Sequence, residues 1–232
     1  NPNSALAESY RLLRARMQFL TKEAIAPVIL VTSSMPGEGK TFTTINLASV
    51  YSLLGKKTVI VGFDLRKPKI HSDFKLTNEK GISTWLIGKD KLQDVIQETS
   101  YENLFVISSG PVPPNPSELT ALGKTEELFK LLRERFDYII VDSSPIGLVS
   151  DTYHLASMTD ACLLVVRPRH TLRDIFERTL SEISERGISS VSLVVNDIKS
   201  DGKQYGYGEK YGYTTEKKAK GRWPLRIHSA KK

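Results

Sequence analysis

A single cysteine, Cys162, stands among the 232 residues, which excludes an internal disulfide and a clustered-cysteine zinc site and fits a reducing compartment. Long apolar runs are missing as well. Nothing approaches the roughly 18–20 residues of a membrane-spanning helix, and the first residues show no charged leader with an apolar core behind it. The expectation is a soluble chain, a fragment of something longer, with the cytoplasm as default compartment. The four histidines, His71, His154, His170 and His228, are scattered without ligand spacing, so no transition-metal site is expected. Net charge is absent from most of the chain. From Lys199 onward ten Lys and Arg face only Asp201, Glu209 and Glu216, a local excess of +7 that equals the net charge of the whole, so residues 1–198 are neutral overall. A neutral folded part offers no basic face for nucleic acid. The basic end has two readings, a solvated tail or a weak attraction to anionic lipid or nucleic acid.

What is present is an ordinary composition, 40% apolar and 25% charged, enough for one large domain or two small ones. In the segment from Ser4 to Leu20, Leu6, Tyr10, Leu13, Met17 and Leu20 recur at spacings of four and three, which predicts an amphipathic helix in need of a partner surface. "PVILVTSS" is too short for a buried helix and rich in branched residues, hence a buried strand. A glycine-rich turn follows, then a helix from about Lys40 to Leu54 that stops at Gly55. "KTVIVGF", "LFVISS", "YIIVDSS", "ACLLVVRP" and "VSLVVND" read as further strands. Helical pieces are expected around "ISTWLIG" and "KLQDVIQ", over Thr125 to Arg135 with Ser117 able to cap the helix before it, and over Arg173 to Glu185. "GPVPPNP" is a stiff loop, because proline removes donors and fixes the backbone. Short apolar strands alternating with helices predict an α/β fold, one doubly wound, mostly parallel sheet with helices on both faces. Three parts follow: an N-terminal helix over 1–26, a domain over 27–198 and a tail over 199–232.

The turn after the first strand reads Ser33-Ser34-Met35-Pro36-Gly37-Glu38-Gly39-Lys40-Thr41. Between a strand and a helix N-terminus, such a loop aims successive N–H groups at one point, where a polyphosphate is held. Gly37 and Gly39 let the backbone approach, Lys40 supplies a cation for the outer phosphates, and the Thr41 hydroxyl is placed for magnesium. The strict phosphate-loop pattern wants glycine where Ser34 stands. Asp142 ends "YIIV" and Asp64 follows "VIVGF", two carboxylates expected at neighbouring strand ends beside the loop.

Together "SSMPGEGKT", "VIVGFDLRKP", "FDYIIVDSSPIGLVSD", "SGPVPPNPSEL" and the tyrosine-rich end resemble the bacterial tyrosine kinases, the cytoplasmic catalytic domains of capsule and exopolysaccharide co-polymerases. The resemblance runs from about Glu8 to Tyr213. It implies a phosphate-loop ATPase fold related to partitioning ATPases, with ATP and Mg2+ as cofactors. Pro36, Gly37, Glu38, Gly39, Lys40, Thr41 and Phe42 fall in its Walker A loop, Asp142 in Walker B, and Asp64 with Arg66 in Walker A′. Lys40, Asp64 and Asp142 are then catalytic, and Thr41, Asp64 and Asp142 are the metal set. Asn196 resembles the asparagine that reads adenine in related ATPases. The A′ segment of such kinases holds two aspartates separated by one residue, and here the first position is Gly62. Either Asp64 alone does that work or catalysis is weak. Glu8, Arg11 and Arg14 match the family's E-x-x-R-x-x-R element, which implies contacts in a homo-oligomeric ring, beside the local alternative of an ordinary i,i+3 ion pair. Also implied are a transmembrane co-polymerase or adaptor segment, a tyrosine phosphatase as partner, and a location at the inner face of the cell membrane.

Tyr205, Tyr207, Tyr211 and Tyr213 are interleaved with Gly206, Gly208 and Gly212, a composition too poor in packing area to fold alone. Extended phenols beside a kinase are expected phosphoacceptors. Each phosphate adds about −1.5 to −2 charges, so four would roughly cancel the local excess. Residues 214–232 are a native extension or of other origin. Three functions remain open on the sequence: a tyrosine kinase that modifies its own tail in trans, an ATPase switch of the related deviant-Walker class, and a nucleotide-binding assembly protein without transfer activity. The switch usually carries a second lysine early in the loop, where Ser33, Ser34 and Met35 stand.

Overall fold

The computed structural model describes residues 4–120 and 123–198. The tyrosine cluster and the basic end, residues 199–232, lie outside the described residues.

Three strands decide where a site can form. β1 (Val28–Ser33), β2 (Thr58–Phe63) and β5 (Tyr138–Ser143) are buried almost throughout, because layers of helix cover both faces of the sheet. The sheet has seven strands in the order β3-β4-β2-β5-β1-β6-β7, completed by β3 (Ile96–Glu98), β4 (Leu104–Ile107), β6 (Ala161–Val166) and β7 (Val191–Val195). All neighbours are parallel except β3, which pairs antiparallel with β4 at one edge. Parallel pairing puts the C-terminal ends of the other six strands on the same rim. Register then places Val31 and Gly62 on either side of Asp142.

Alternate residues of each strand feed two cores. On one face Ile29, Val31, Ile60 and Ile140 pack against α1 (Ala5–Leu20) and α2 (Lys40–Ser52). On the other, Leu30, Val61 and Val141 pack against α4 (Ile82–Leu86), α7 (Lys124–Arg133), α8 (Asp151–Ser157) and α9 (Arg173–Glu185). The short α3 (Ile70–Phe74), α5 (Leu92–Val95) and α6 (Pro116–Thr120) complete the order.

Four local expectations are corrected. Tyr10 and Met17 of the α1 stripe are buried with Leu13 packed beside them, but its two ends differ: Ala7 is buried in place of Leu6, and Leu6 and Leu20 are each 44% exposed. α2 ends at Ser52, three residues before Gly55. Ser117 lies inside α6 instead of capping it. The end of "KLQDVIQ" leaves the helix at Ile96 and becomes the edge strand β3, since β4 offers an unpaired edge there.

Candidate functional site

Between β1 and α2 the chain turns through Ser34 to Gly39. Gly39 sits at φ +98°, and a Cβ on it would lie 2.0 Å from Asn196 Nδ2, so only glycine fits. That nitrogen donates to Glu38 O at 2.9 Å. His170 Nε2, carrying its hydrogen there, donates to Pro36 O at 2.8 Å, and Arg167 Nη1 donates to Gly37 O at 3.1 Å. Three successive carbonyls are thus tied to outside partners. Because C=O and the next N–H of a trans peptide point opposite ways, the N–H groups of Gly37, Glu38 and Gly39 face the other side, the concave one. The Glu38 side chain does not share that concavity. It is fully buried, and its carboxylate accepts from Met35 N at 2.7 Å and from the Thr171 hydroxyl.

At the start of α2, Lys40 is 8% exposed and makes no ion pair within 4 Å among the described residues. Thr41 Oγ1 donates to Asp142 Oδ2 at 2.8 Å, and Thr44 Oγ1, one turn further along, donates to Oδ1 at 3.3 Å. Burial pushes the Asp142 carboxyl up to about 7, against the lowering influence of Lys40 and of the Thr41 hydroxyl. Asp64 lies one residue past β2. Its Oδ1 accepts from Ser144 Oγ (2.9 Å), Lys67 N (3.0 Å) and Arg66 N (3.3 Å), so three donors converge on one carboxylate oxygen. Arg66 donates to Ser117 Oγ at 2.7 Å and lies 3.6 Å from Asp151.

Gly62 stands opposite Asp142, and the space beside it is taken. A Cβ there would be 3.0 Å from Ser109 Oγ and 3.2 Å from Ser109 N. The chain has filled with the β4 end the place where a carboxylate at 62 would start.

The residues present fit a magnesium-bound polyphosphate. The concave amides and the Lys40 ammonium are anion donors, and the buried Ser34 hydroxyl has no hydrogen-bond partner. The hydroxyl–carboxylate pair of Thr41 and Asp142 is the small oxygen donor set that a hard cation shared with phosphate needs. Among the described residues no cluster of three or more His, Cys, Asp or Glu forms a cage for a metal on its own. Beside the loop, Arg167, Pro168, Arg169, His170, Asp197 and Ile198 line a cavity of about 360 Å3, with Arg167 paired to Asp197 at 2.8 Å.

Gly37, Glu38, Gly39, Lys40, Thr41, Asp64, Asp142 and Asn196 therefore come together at one rim. Pro36 contributes only its carbonyl, and Phe42 turns into the α1 seam, its ring edge-on to Tyr10 at 6.2 Å. Glu8 and Arg11 pair with each other at 2.9 Å on α1, and Arg14 donates to Val50 O of α2 at 3.5 Å, all away from the loop. Sequence reasoning missed Thr44, although its i,i+3 relation to Thr41 puts both hydroxyls on one helix face. Ser144, Arg167, His170 and Thr171 were missed as well, since their contacts join segments 80 or more residues apart.

The AAA domain family matches residues 26–185. The tyrosine-protein kinase YwqD of Bacillus subtilis is 32% identical over 207 residues, 89% of this chain and 87% of that protein. The tyrosine-protein kinase ptk of Acinetobacter johnsonii is 32% identical over 205 residues, 88% of this chain but 28% of a longer one. Among solved structures, the kinase domain of the Escherichia coli tyrosine kinase ETK superposes with a TM-score of 0.82 at 32% identity, covering 91% of this chain and 83% of that one. No helix of the described residues is long and apolar enough to cross a membrane.

Proposed function

The chain belongs to the bacterial tyrosine-protein kinases, and from that premise we propose that it transfers the γ-phosphoryl group of Mg-ATP to Tyr205, Tyr207, Tyr211 and Tyr213 of another copy of itself. The supporting observation is the rim itself: a loop with its carbonyls tied outward, a buried Lys40, and the Thr41–Asp142 pair at 2.8 Å where an outer phosphate would lie.

The loop amides and Lys40 hold and polarise the β and γ phosphates. Thr41 and Asp142 hold magnesium, which when bound neutralises charge on the phosphate oxygens. Ser144 and the two backbone amides fix Asp64 through Oδ1, leaving Oδ2 to take the phenol proton. The phenol oxygen bonds to the γ-phosphorus, the bond to the β–γ bridging oxygen breaks, and ADP leaves. Gly62 removes one carboxylate from the pattern, and Asp64 does the proton work alone. The adenine enters the cavity beside Arg167 and His170, with Asn196 Oδ1 at its edge.

Glu8, Arg11 and Arg14 lie on α1, the element we assign to ring contacts between copies. Phosphorylation of the tail releases it from the neighbouring copy, loosens the ring, and so regulates capsule or exopolysaccharide polymerisation and export; a tyrosine phosphatase reverses it. We assign a transmembrane co-polymerase segment as partner and the inner face of the cell membrane as location; the ptk relative, of which the match covers 28%, is long enough to carry such a segment.

Radiolabelled ATP with purified protein, beside Lys40→Met and a deletion of 199–232, tests the reading. Label on tyrosine that vanishes in both variants is expected. Phosphate release without label points to an ATPase switch, and nucleotide binding with neither points to an assembly role. Mass spectrometry after incubation with Mg-ATP locates the label, and modification confined to tyrosines outside 205–213 refutes the substrate assignment.

A further inference from the structure

Every residue of the phosphate loop from Met35 to Glu38 is gripped from behind by one segment, the link between β6 and α9. Leu172 N lies 3.4 Å from Met35 Sδ, His170 holds Pro36 O, Arg167 holds Gly37 O, and the Thr171 hydroxyl donates to Glu38 Oε1. Thr171 is the relay in this set. Its Oγ1 accepts from Arg167 N at 2.8 Å while donating to the carboxylate, whose other oxygen accepts from Met35 N at 2.7 Å. The circuit closes the loop on itself through a carboxylate that is 0% exposed.

A buried carboxylate two residues from the phosphate lysine is an awkward group to keep. Unpaired, it costs far more than a neutral group, and turned inward it repels the polyphosphate. Its two donors hold it on the convex side. Resting on the nucleotide-binding reading above, we propose that Thr171 is a positioning residue: by fixing the Glu38 carboxylate outside the concavity it sets the loop shape that receives the polyphosphate. Thr171 does not line the cavity beside the loop, whereas Arg167 and His170 do. Its contribution is therefore to phosphate affinity and independent of the base.

That independence gives a test with two probes, Mg-ATP and Mg-tripolyphosphate, titrated calorimetrically into full-length protein well below its unfolding midpoint. Thr171→Val keeps the shape and removes the hydroxyl. Loss of one charge-assisted hydrogen bond predicts weakening of about tenfold for both probes, by the same factor, with Thr171→Ser restoring both to within about twofold. Unchanged affinities overturn the proposal, as does a loss confined to ATP, which would place Thr171 in base recognition, or a failure of serine to restore, which would make the methyl group the active part. If Thr171→Val does not fold, Thr171→Ala is read by the same criteria. Wild-type protein that binds neither probe overturns nucleotide binding itself, a result distinct from all of these.

Discussion

Replacing Asp142 by asparagine separates what the carboxylate does for function from what it costs the fold. In nucleotide-free, metal-free protein, burial raises this carboxyl to about 7 from an ordinary value of 3.8. Between those values the native state holds a proton that the unfolded chain has released, so stability falls as pH rises through that window, and above 7 the fold carries a buried charge. A rise from 3.8 to about 7, at roughly 1.36 kcal/mol per pH unit, sets a ceiling of about 4 kcal/mol on that loss. Asparagine has the same shape, and its amide can still engage the hydroxyls of Thr41 and Thr44, which keeps the packing and offsets little of the gain. Asp142→Asn is therefore expected to be more stable than wild type at pH 8 by on the order of 2–4 kcal/mol, or roughly 5–15 °C in unfolding midpoint. The gain shrinks as pH falls through that window and is gone only below about 3.8, where both states of the wild-type group are protonated. Calorimetric melts of both proteins in chelator from pH 4.5 to 8 measure the difference. Parallel curves, or a variant less stable at pH 8, refute the reasoning. The same variant is expected to lose tyrosine labelling, because a neutral amide cannot supply charge to the cation.

Gly39→Ala puts a side chain where Asn196 Nδ2 lies and asks alanine to adopt φ +98°; a nucleotide affinity loss of at least about tenfold is expected by calorimetry, from roughly 1–2 kcal/mol of backbone strain plus the lost bond to Glu38 O. Gly62→Asp meets Ser109 at 3.0 Å and faces Asp142 across the β2–β5 pair, so the unfolding midpoint is expected to drop by several degrees, with Ser109→Gly in the same chain recovering most of it; a variant as stable as wild type contradicts the crowding. Tyr51, fully buried and stacked on Tyr138 at 3.7 Å, has a hydroxyl without a hydrogen-bond partner. Tyr51→Phe is therefore expected to leave the unfolding midpoint unchanged or raise it by a few degrees, and a loss above about 1 kcal/mol would show that the hydroxyl is satisfied in solution.

The sheet was legible because a strand buried on both faces needs an almost unbroken run of branched residues, and "VILV", "VIV", "YIIV" and "CLLVV" supply that in Val28–Val31, Val59–Val61, Tyr138–Val141 and Cys162–Val166. The antiparallel edge strand was not. Ile96–Glu98 is only three residues long and half-exposed, and its conformation is imposed by the free edge of β4 against a local helical pattern. In α1, Ala7 displaced Leu6 from the seam, since a small residue lets the helix lie closer to α2 than a periodicity count of large apolar positions allows.

The site divides along the same line. Lys40, Thr41, Asp64 and Asp142 could be read because each is tied to a strand end or helix start that the pattern places. Their polar neighbours could not, because nothing local marks a serine as the partner of a carboxylate 80 residues away. Glu38 shows the difference within one residue. Its position in the motif suggests a group facing the phosphates, yet its charge forbids that, and the way out depends on a threonine 133 positions later. A motif specifies where the backbone must go; which side chains hold it there is decided by whatever the fold brings behind the loop. In this chain that is the β6–α9 link, so substitutions at Arg167, His170 or Thr171 should alter phosphate binding although none belongs to a recognised nucleotide motif.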